Sequence, residues 1–140
     1  MRRRARQGGH AMLELAISAG VMVTCLGGTF QFGYTFYVYN QLVSAVGDGA
    51  RYASVRPRSA DPESDKVAIR NMVVYADSKP APSAIPVVRN LAPDNVEVEY
   101  TQNGESVSIS IRNYKVDALF GDFEFSGRPG VEFPYVGAAQ

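Results

Sequence analysis

Gly8-Gly9-His10-Ala11-Met12-Leu13-Glu14 opens a stretch in which no charged residue follows from Leu15 to Gly47. How this stretch is read decides the fold. It contains Leu15, Ile17, Val21, Met22, Val23, Leu26 and Phe30, and roughly 20 predominantly apolar residues cross a hydrocarbon core of about 30 Å. The run is long enough to span a bilayer, and the expected span is about residues 15–40. Beyond the span, Leu42, Val43, Ala45, Val46, Ala50 and Ala53 recur at helical spacings among polar residues. The helix is therefore expected to leave the membrane and continue to Val55, where Arg56-Pro57 ends it. From Ala11 to Val55 it would be about 67 Å long. Phe30-Gln-Phe-Gly-Tyr-Thr-Phe36 also alternates with period two, as a strand does, but a lone strand cannot satisfy its backbone in lipid.

The two flanks of the run differ in chemistry. Arg2, Arg3, Arg4 and Arg6 crowd the N-terminal side, while Phe30, Phe32, Tyr34, Phe36, Tyr37 and Tyr39 gather at the far end. Basic residues stay on the cytoplasmic side and aromatic rings favour the interface, so the remainder is expected outside the inner membrane. The whole chain holds 14 basic and 14 acidic residues; without residues 1–9 it holds 10 and 14. Positive charge confined to one terminus is a topology or targeting signal, and no nucleic-acid surface is expected.

Residues 57–140 have the pattern of a small mixed domain. Asp61-Pro62-Glu63 combines an N-cap, a proline at the first helical position and an acidic first turn, which predicts a second helix over 62–77. Pro80, Pro82 and Pro86 make the following segment a linker. Val96-Glu-Val-Glu-Tyr100 and Val107-Ser-Ile-Ser-Ile111 alternate strictly around Asn103-Gly104, a hairpin signature. Further strands are expected near Tyr114–Phe120 and Val131–Val136, with turns at Gly121 and Arg128-Pro-Gly130. The expected class is α+β, with residues 1–9 as a basic leader, 10–56 as a long helix and 57–140 as the exposed domain.

No enzyme is expected. His10 is the only histidine and lies at the leader junction, so the exposed domain lacks a histidine-based triad or zinc cluster. Gly27-Gly28 has no following Lys-Ser or Lys-Thr of a phosphate loop. Glu97 and Glu99 share one, solvent-facing side of a strand. Asp61, Glu63 and Asp65 lack the glycine and distal glutamate of a calcium loop. Cys25, the one cysteine, is expected to be a small apolar side chain, and no disulfide or other cofactor is expected. Ala16, Gly20, Thr24 and Gly28 fall four apart on one helical face, which suits close packing between transmembrane helices.

A basic leader, Gly9, four residues and then Glu14 at the mouth of a long apolar helix resemble the type IV prepilin signal. The resemblance implies cleavage by a prepilin peptidase between Gly9 and His10, with Glu14 at mature position five. Cleavage would create an α-amino group with a reference pKa of about 7.7–8.0, one helical turn from the Glu14 carboxylate of its own or a neighbouring subunit. Such a pair is best used to set register between packed helices. The alternative is an uncut signal anchor in which Glu14 caps the helix N-terminus.

Farther along, Glu14-Leu-Ala-Ile17, Phe30-Gln-Phe-Gly33, Tyr37, Asn40-Gln-Leu42 and Ala45-Val-Gly-Asp-Gly-Ala-Arg-Tyr-Ala53 resemble the TadE-like family of tight-adherence pilus proteins. The motif residues are Gly33 and the closing Gly49, Ala50, Arg51, Tyr52 and Ala53. Departures from the family pattern fall at His10, Val21, Gln31 and Tyr34. The resemblance implies a minor pilin or pseudopilin acting in pilus assembly and adhesion. Its implied partners are other pilins, the prepilin peptidase, an inner-membrane assembly platform and membrane lipid.

Overall fold

A computed structural model describes residues 4–57, 61–101, 106–117 and 121–136, with side chains described from residue 9 onward. The first helix, α1 (Arg4–Val55), is a single element of 52 residues. It begins earlier than the expected Ala11. Arg4, Ala5, Arg6 and Gln7 are good helix formers, and Gly8-Gly9 costs helix stability without the clash a proline would bring. It ends at Val55, where the sequence predicts, ahead of Pro57.

The long helix has two regimes. From Gly9 to Phe30 no residue is buried, and large apolar side chains such as Leu15, Met22 and Leu26 lie open. From Gln31 onward one face turns inward: Gln31, Val38, Leu42, Ala45, Val46, Gly49, Ala50 and Ala53 are buried at three- and four-residue steps. The folded domain thus covers one side of α1 from Gln31 onward, within the stretch 15–40 expected to span.

The second helix, α2 (Pro62–Tyr75), starts as its N-cap predicts. The Asp61 carboxylate accepts from the Glu63 amide at 3.1 Å, with Pro62 at the first position. It stops two residues before the expected end, because Ala76 takes the left-handed conformation (φ 55°) and its N–H returns to the Met72 carbonyl at 3.0 Å. The proline linker is not free: the Val87 amide donates to the Val74 carbonyl at 2.8 Å, and Val88 and Leu91 are buried.

Strands β1 (Val96–Tyr100) and β2 (Ser106–Ile111) form the expected antiparallel hairpin, with Val96 opposite Ile111 and Tyr100 opposite Val107. Its expected turn at Asn103-Gly104 lies outside the described residues. A short 3-10 turn (Pro93–Asn95), which local periodicity does not announce, leads into β1. Strand β3 (Tyr114–Val116) pairs with an unanticipated β4 (Phe123–Phe125), and β5 (Gly130–Pro134) pairs with the free edge of β2. The larger sheet is ordered β1-β2-β5. Gly121 and Gly127 both have positive φ, 136° and 73°, on either side of β4. The core lies where Val107, Ile109 and Ile111 of β2, all fully buried, meet Leu42 and Val46 of α1 and Ile69 and Val73 of α2. The architecture is α+β, a long apolar helix followed by a second helix and antiparallel sheets.

Candidate functional site

The expected leader junction lies on the open part of α1. Gly9 and His10 are exposed, no atom lies within 4 Å of where a Gly9 side chain would be, and Glu14 follows His10 by one helical turn. Among the described residues Glu14 makes no ion pair, so a carboxylate stands alone at the mouth of an apolar helix. Ala16, Gly20, Thr24 and Gly28 form one stripe. The Thr24 hydroxyl donates to the Gly20 carbonyl at 2.9 Å, which satisfies it within its own helix. No atom lies within 4 Å of a side-chain position at Gly20, Gly28 or Gly33, and Cys25 is also exposed. Only helical geometry groups these residues; among the described residues nothing buries them.

The closing Gly49-Ala-Arg-Tyr-Ala53 behaves differently. A Cβ added at Gly49 would lie 2.3 Å from Val73 Cγ2, so at this glycine α2 packs tightly against α1. Ala50 and Ala53 are buried beside it. Arg51 points outward and lies 3.9 Å from Asp48; both side chains are mostly exposed, so the pair contributes little. Tyr52 is half-buried and receives a hydrogen bond from Arg56, whose guanidinium also lies 5.5 Å from the ring centroid. This motif is largely a docking seat for the chain's own domain, with Arg51 as its outward-facing member.

Local pattern does not reveal the clasp at the end of α1. Asp65 of α2, weighed with Asp61 and Glu63 as a calcium loop, is 4% exposed, and its carboxylate faces Arg56 Nε at 3.7 Å. The Tyr135 hydroxyl donates to the Arg56 carbonyl at 2.6 Å, and the Val136 amide donates to the Ser54 carbonyl at 3.0 Å. Glu63 pairs with Lys66 at 2.7 Å and Asp61 caps α2, so the three acids do not converge on one point. Arg56→Ala is expected to cost about 2–3 kcal/mol, because it strips a cation from a buried carboxylate. Asp65→Ala should cost less, since Arg56 keeps Tyr52 and reaches water. Paired urea titrations check the order; equal losses would mean that the carboxylate does not depend on Arg56.

The lower end of the domain also touches α1. Gln31 Nε2 donates to the Gly121 carbonyl at 3.4 Å, and the Tyr39 ring meets Phe125 with centroids 5.6 Å apart. Gln31, one of the departures from the family pattern, is thus a buried neutral partner for a backbone carbonyl. The expected aromatic girdle is split. Phe30, Phe32, Phe36 and Tyr37 stay open, while Tyr39 joins the domain.

The open helix with its glycine–glutamate mouth, closed by the tight glycine seat, coincides with a known pattern. Residues 9–51 match the family model described as TadE-like protein. This segment is TadE-like. The match covers less than half of the chain, from the glycine of the junction to Arg51 of the closing motif. No significant match is found among curated proteins or among solved structures. The TadE-like segment ties the chain to the tight-adherence pilus system and to association with its other components. Its single long apolar helix fits a single-span membrane protein.

Proposed function

We propose that the chain is a minor pilin or pseudopilin of the tight-adherence pilus. A prepilin peptidase removes residues 1–9, and α1 then holds the folded domain at the outer face of the inner membrane. The role is structural, in pilus assembly and surface adhesion, with no catalytic step. The observation that carries this reading is the Gly9–Glu14 junction at the mouth of a helix left uncovered from Gly9 to Phe30. The twenty residues Ala11 to Phe30 make a helix about 30 Å long, matched to the hydrocarbon core. The reading therefore takes the span as ending near Phe30, where the domain begins.

Within the span, Glu14 has a reason to be there only if a cation meets it. A charge at that depth costs roughly 2.5–3.5 kcal/mol at the centre and less near the interface. The α-amino group freed at His10, in the same subunit or the next, supplies that cation and sets the stagger between packed helices. The face of Ala16, Gly20, Thr24 and Gly28 then admits a neighbouring helix closely.

The test is the intact mass of the mature chain in cells with and without the prepilin peptidase. The expected product starts at His10, depends on the peptidase and disappears in Gly9→Leu. A chain with an unprocessed N-terminus in both strains would leave an uncut signal anchor whose domain binds an envelope partner.

A further inference from the structure

Below the core, the domain does not close fully on α1. A cleft of about 700 Å³ remains between Tyr34 and Tyr37 of α1, the segment 85–90, and β3 with the residue after it. Three charged residues line it: Arg89, Lys115 and Asp117. The Arg89 guanidinium is exposed and has no acidic partner among the described residues. Lys115 lies 3.8 Å from Glu124, but both side chains are at least half exposed, so that pair holds it weakly.

The backbone around these charges is fixed. The Tyr114 hydroxyl donates to the Arg89 carbonyl at 2.7 Å, and Tyr114 and Val88 are buried. Burial, with Tyr34 and Asp117 nearby, raises the Tyr114 pKa above its ordinary 10, so the phenol stays a neutral donor. The cleft is therefore a preformed pocket with exposed charged tips on a buried, hydrogen-bonded frame. At its lip Ile85 is 85% exposed, a large apolar side chain left mostly open to solvent.

Its position along α1 indicates what it meets. Tyr34 is one turn beyond Phe30, about 6 Å farther along the axis. A headgroup layer is roughly 5–8 Å deep on each side of the hydrocarbon core, so the cleft opens within it. Leu26, Phe30 and Tyr34 follow one another at four-residue steps, forming an apolar track from the span to the cleft floor.

We propose that this cleft binds the headgroup of a membrane phospholipid that ends in a primary ammonium, phosphatidylethanolamine. Arg89 and Lys115 hold the phosphate, Asp117 receives the ammonium, and an acyl chain lies along Phe30 and Leu26. Charge complementarity selects this occupant. A phosphatidylglycerol headgroup would satisfy the two cations but offer Asp117 only neutral hydroxyls, with no cation to meet the carboxylate. A choline headgroup has no N–H to donate to that carboxylate. Ile85 at the lip enters the same lipid surface and seats the domain on the membrane. This inference rests on the span reading above, since only a span ending near Phe30 brings the cleft to headgroup level.

The experiment uses the full chain in mixed bilayer nanodiscs containing phosphatidylethanolamine, phosphatidylglycerol and phosphatidylcholine. Native mass spectrometry then reads the lipid retained on the protein. Retained phosphatidylethanolamine is expected to exceed its share of the bilayer about tenfold, the effect of one charge-assisted hydrogen bond. Asp117→Asn should abolish the preference over phosphatidylcholine, and Arg89→Gln with Lys115→Gln should remove retained lipid, both with thermal unfolding changed little. Retained lipid that mirrors the bilayer in a carbonate-resistant protein would overturn the headgroup site and leave the span intact. A preference for phosphatidylglycerol would likewise overturn it. A chain extracted by carbonate would overturn the span and the site together.

Discussion

Ile109→Ala is expected to remove about 3–4 kcal/mol from the stability of the C-terminal domain, within the range seen when a large aliphatic side chain leaves a closed core. Ile109 is fully buried in β2, the middle strand of the larger sheet, with Val98 of β1 on one side and Val131 of β5 on the other. Its Cδ1 would lie 3.7 Å from a Cβ at Gly49, so it also fills the space beneath α1. Walls built from two helices and two neighbouring strands cannot collapse easily into the space left behind. A domain of this size holds about 5–15 kcal/mol in all, and the sole cysteine lies on the open part of α1, so no disulfide supports it. Urea unfolding of the micelle-held chain, followed by tyrosine fluorescence, measures the loss. A change below about 1 kcal/mol would contradict a core centred on β2.

The second large effect depends on sign as well as size. Replacing a glycine within a helix by alanine ordinarily stabilises by about 0.5–1 kcal/mol. Gly47→Ala should follow that rule, since no atom lies within 4 Å of its side-chain position. Two residues on, Gly49→Ala should reverse it and destabilise by about 1–3 kcal/mol. The new methyl would meet Val73 Cγ2 at 2.3 Å, a separation that requires something to move. Val73 is fully buried and β-branched, so it has few rotamers to give, and α2 must lift from α1 instead. Val73→Ala in the Gly49→Ala background should recover most of the loss, a coupling that a double-mutant cycle reads directly. Stabilisation by both alanines would mean that the two helices do not meet at Gly49.

Much of the fold is legible because its signals are local. The apolar run, the Asp61-Pro62 start of α2 and the alternation in β1 and β2 each express the period or cap chemistry of one element. The prepilin-like pattern is equally local, since His10 and Glu14 stand one turn apart on a single helix. Other features depend on partners far along the chain. Phe123–Phe125 is too short to show alternation and becomes a strand only because Tyr114–Val116 pairs with it. Asp65 reads in the sequence as an acid near the start of a helix, yet it is buried by Arg56 and the chain around Tyr135.

The sequence by itself determined that a long uncharged helix opens the chain, that a basic flank and a glycine–glutamate pair mark its mouth, and that an α+β domain follows. Residue type and spacing suffice for these, because helix and strand periods are properties of neighbouring residues. Only the tertiary structure decided that β5 completes the sheet beside β2 and that the domain descends α1 as far as Gln31. It likewise decided that Gly49 is a contact with Val73 and that Arg89, Lys115 and Asp117 line one cleft. These are meetings of segments tens of residues apart, set by how apolar faces close on one another, and no local pattern encodes which distant surface each will find.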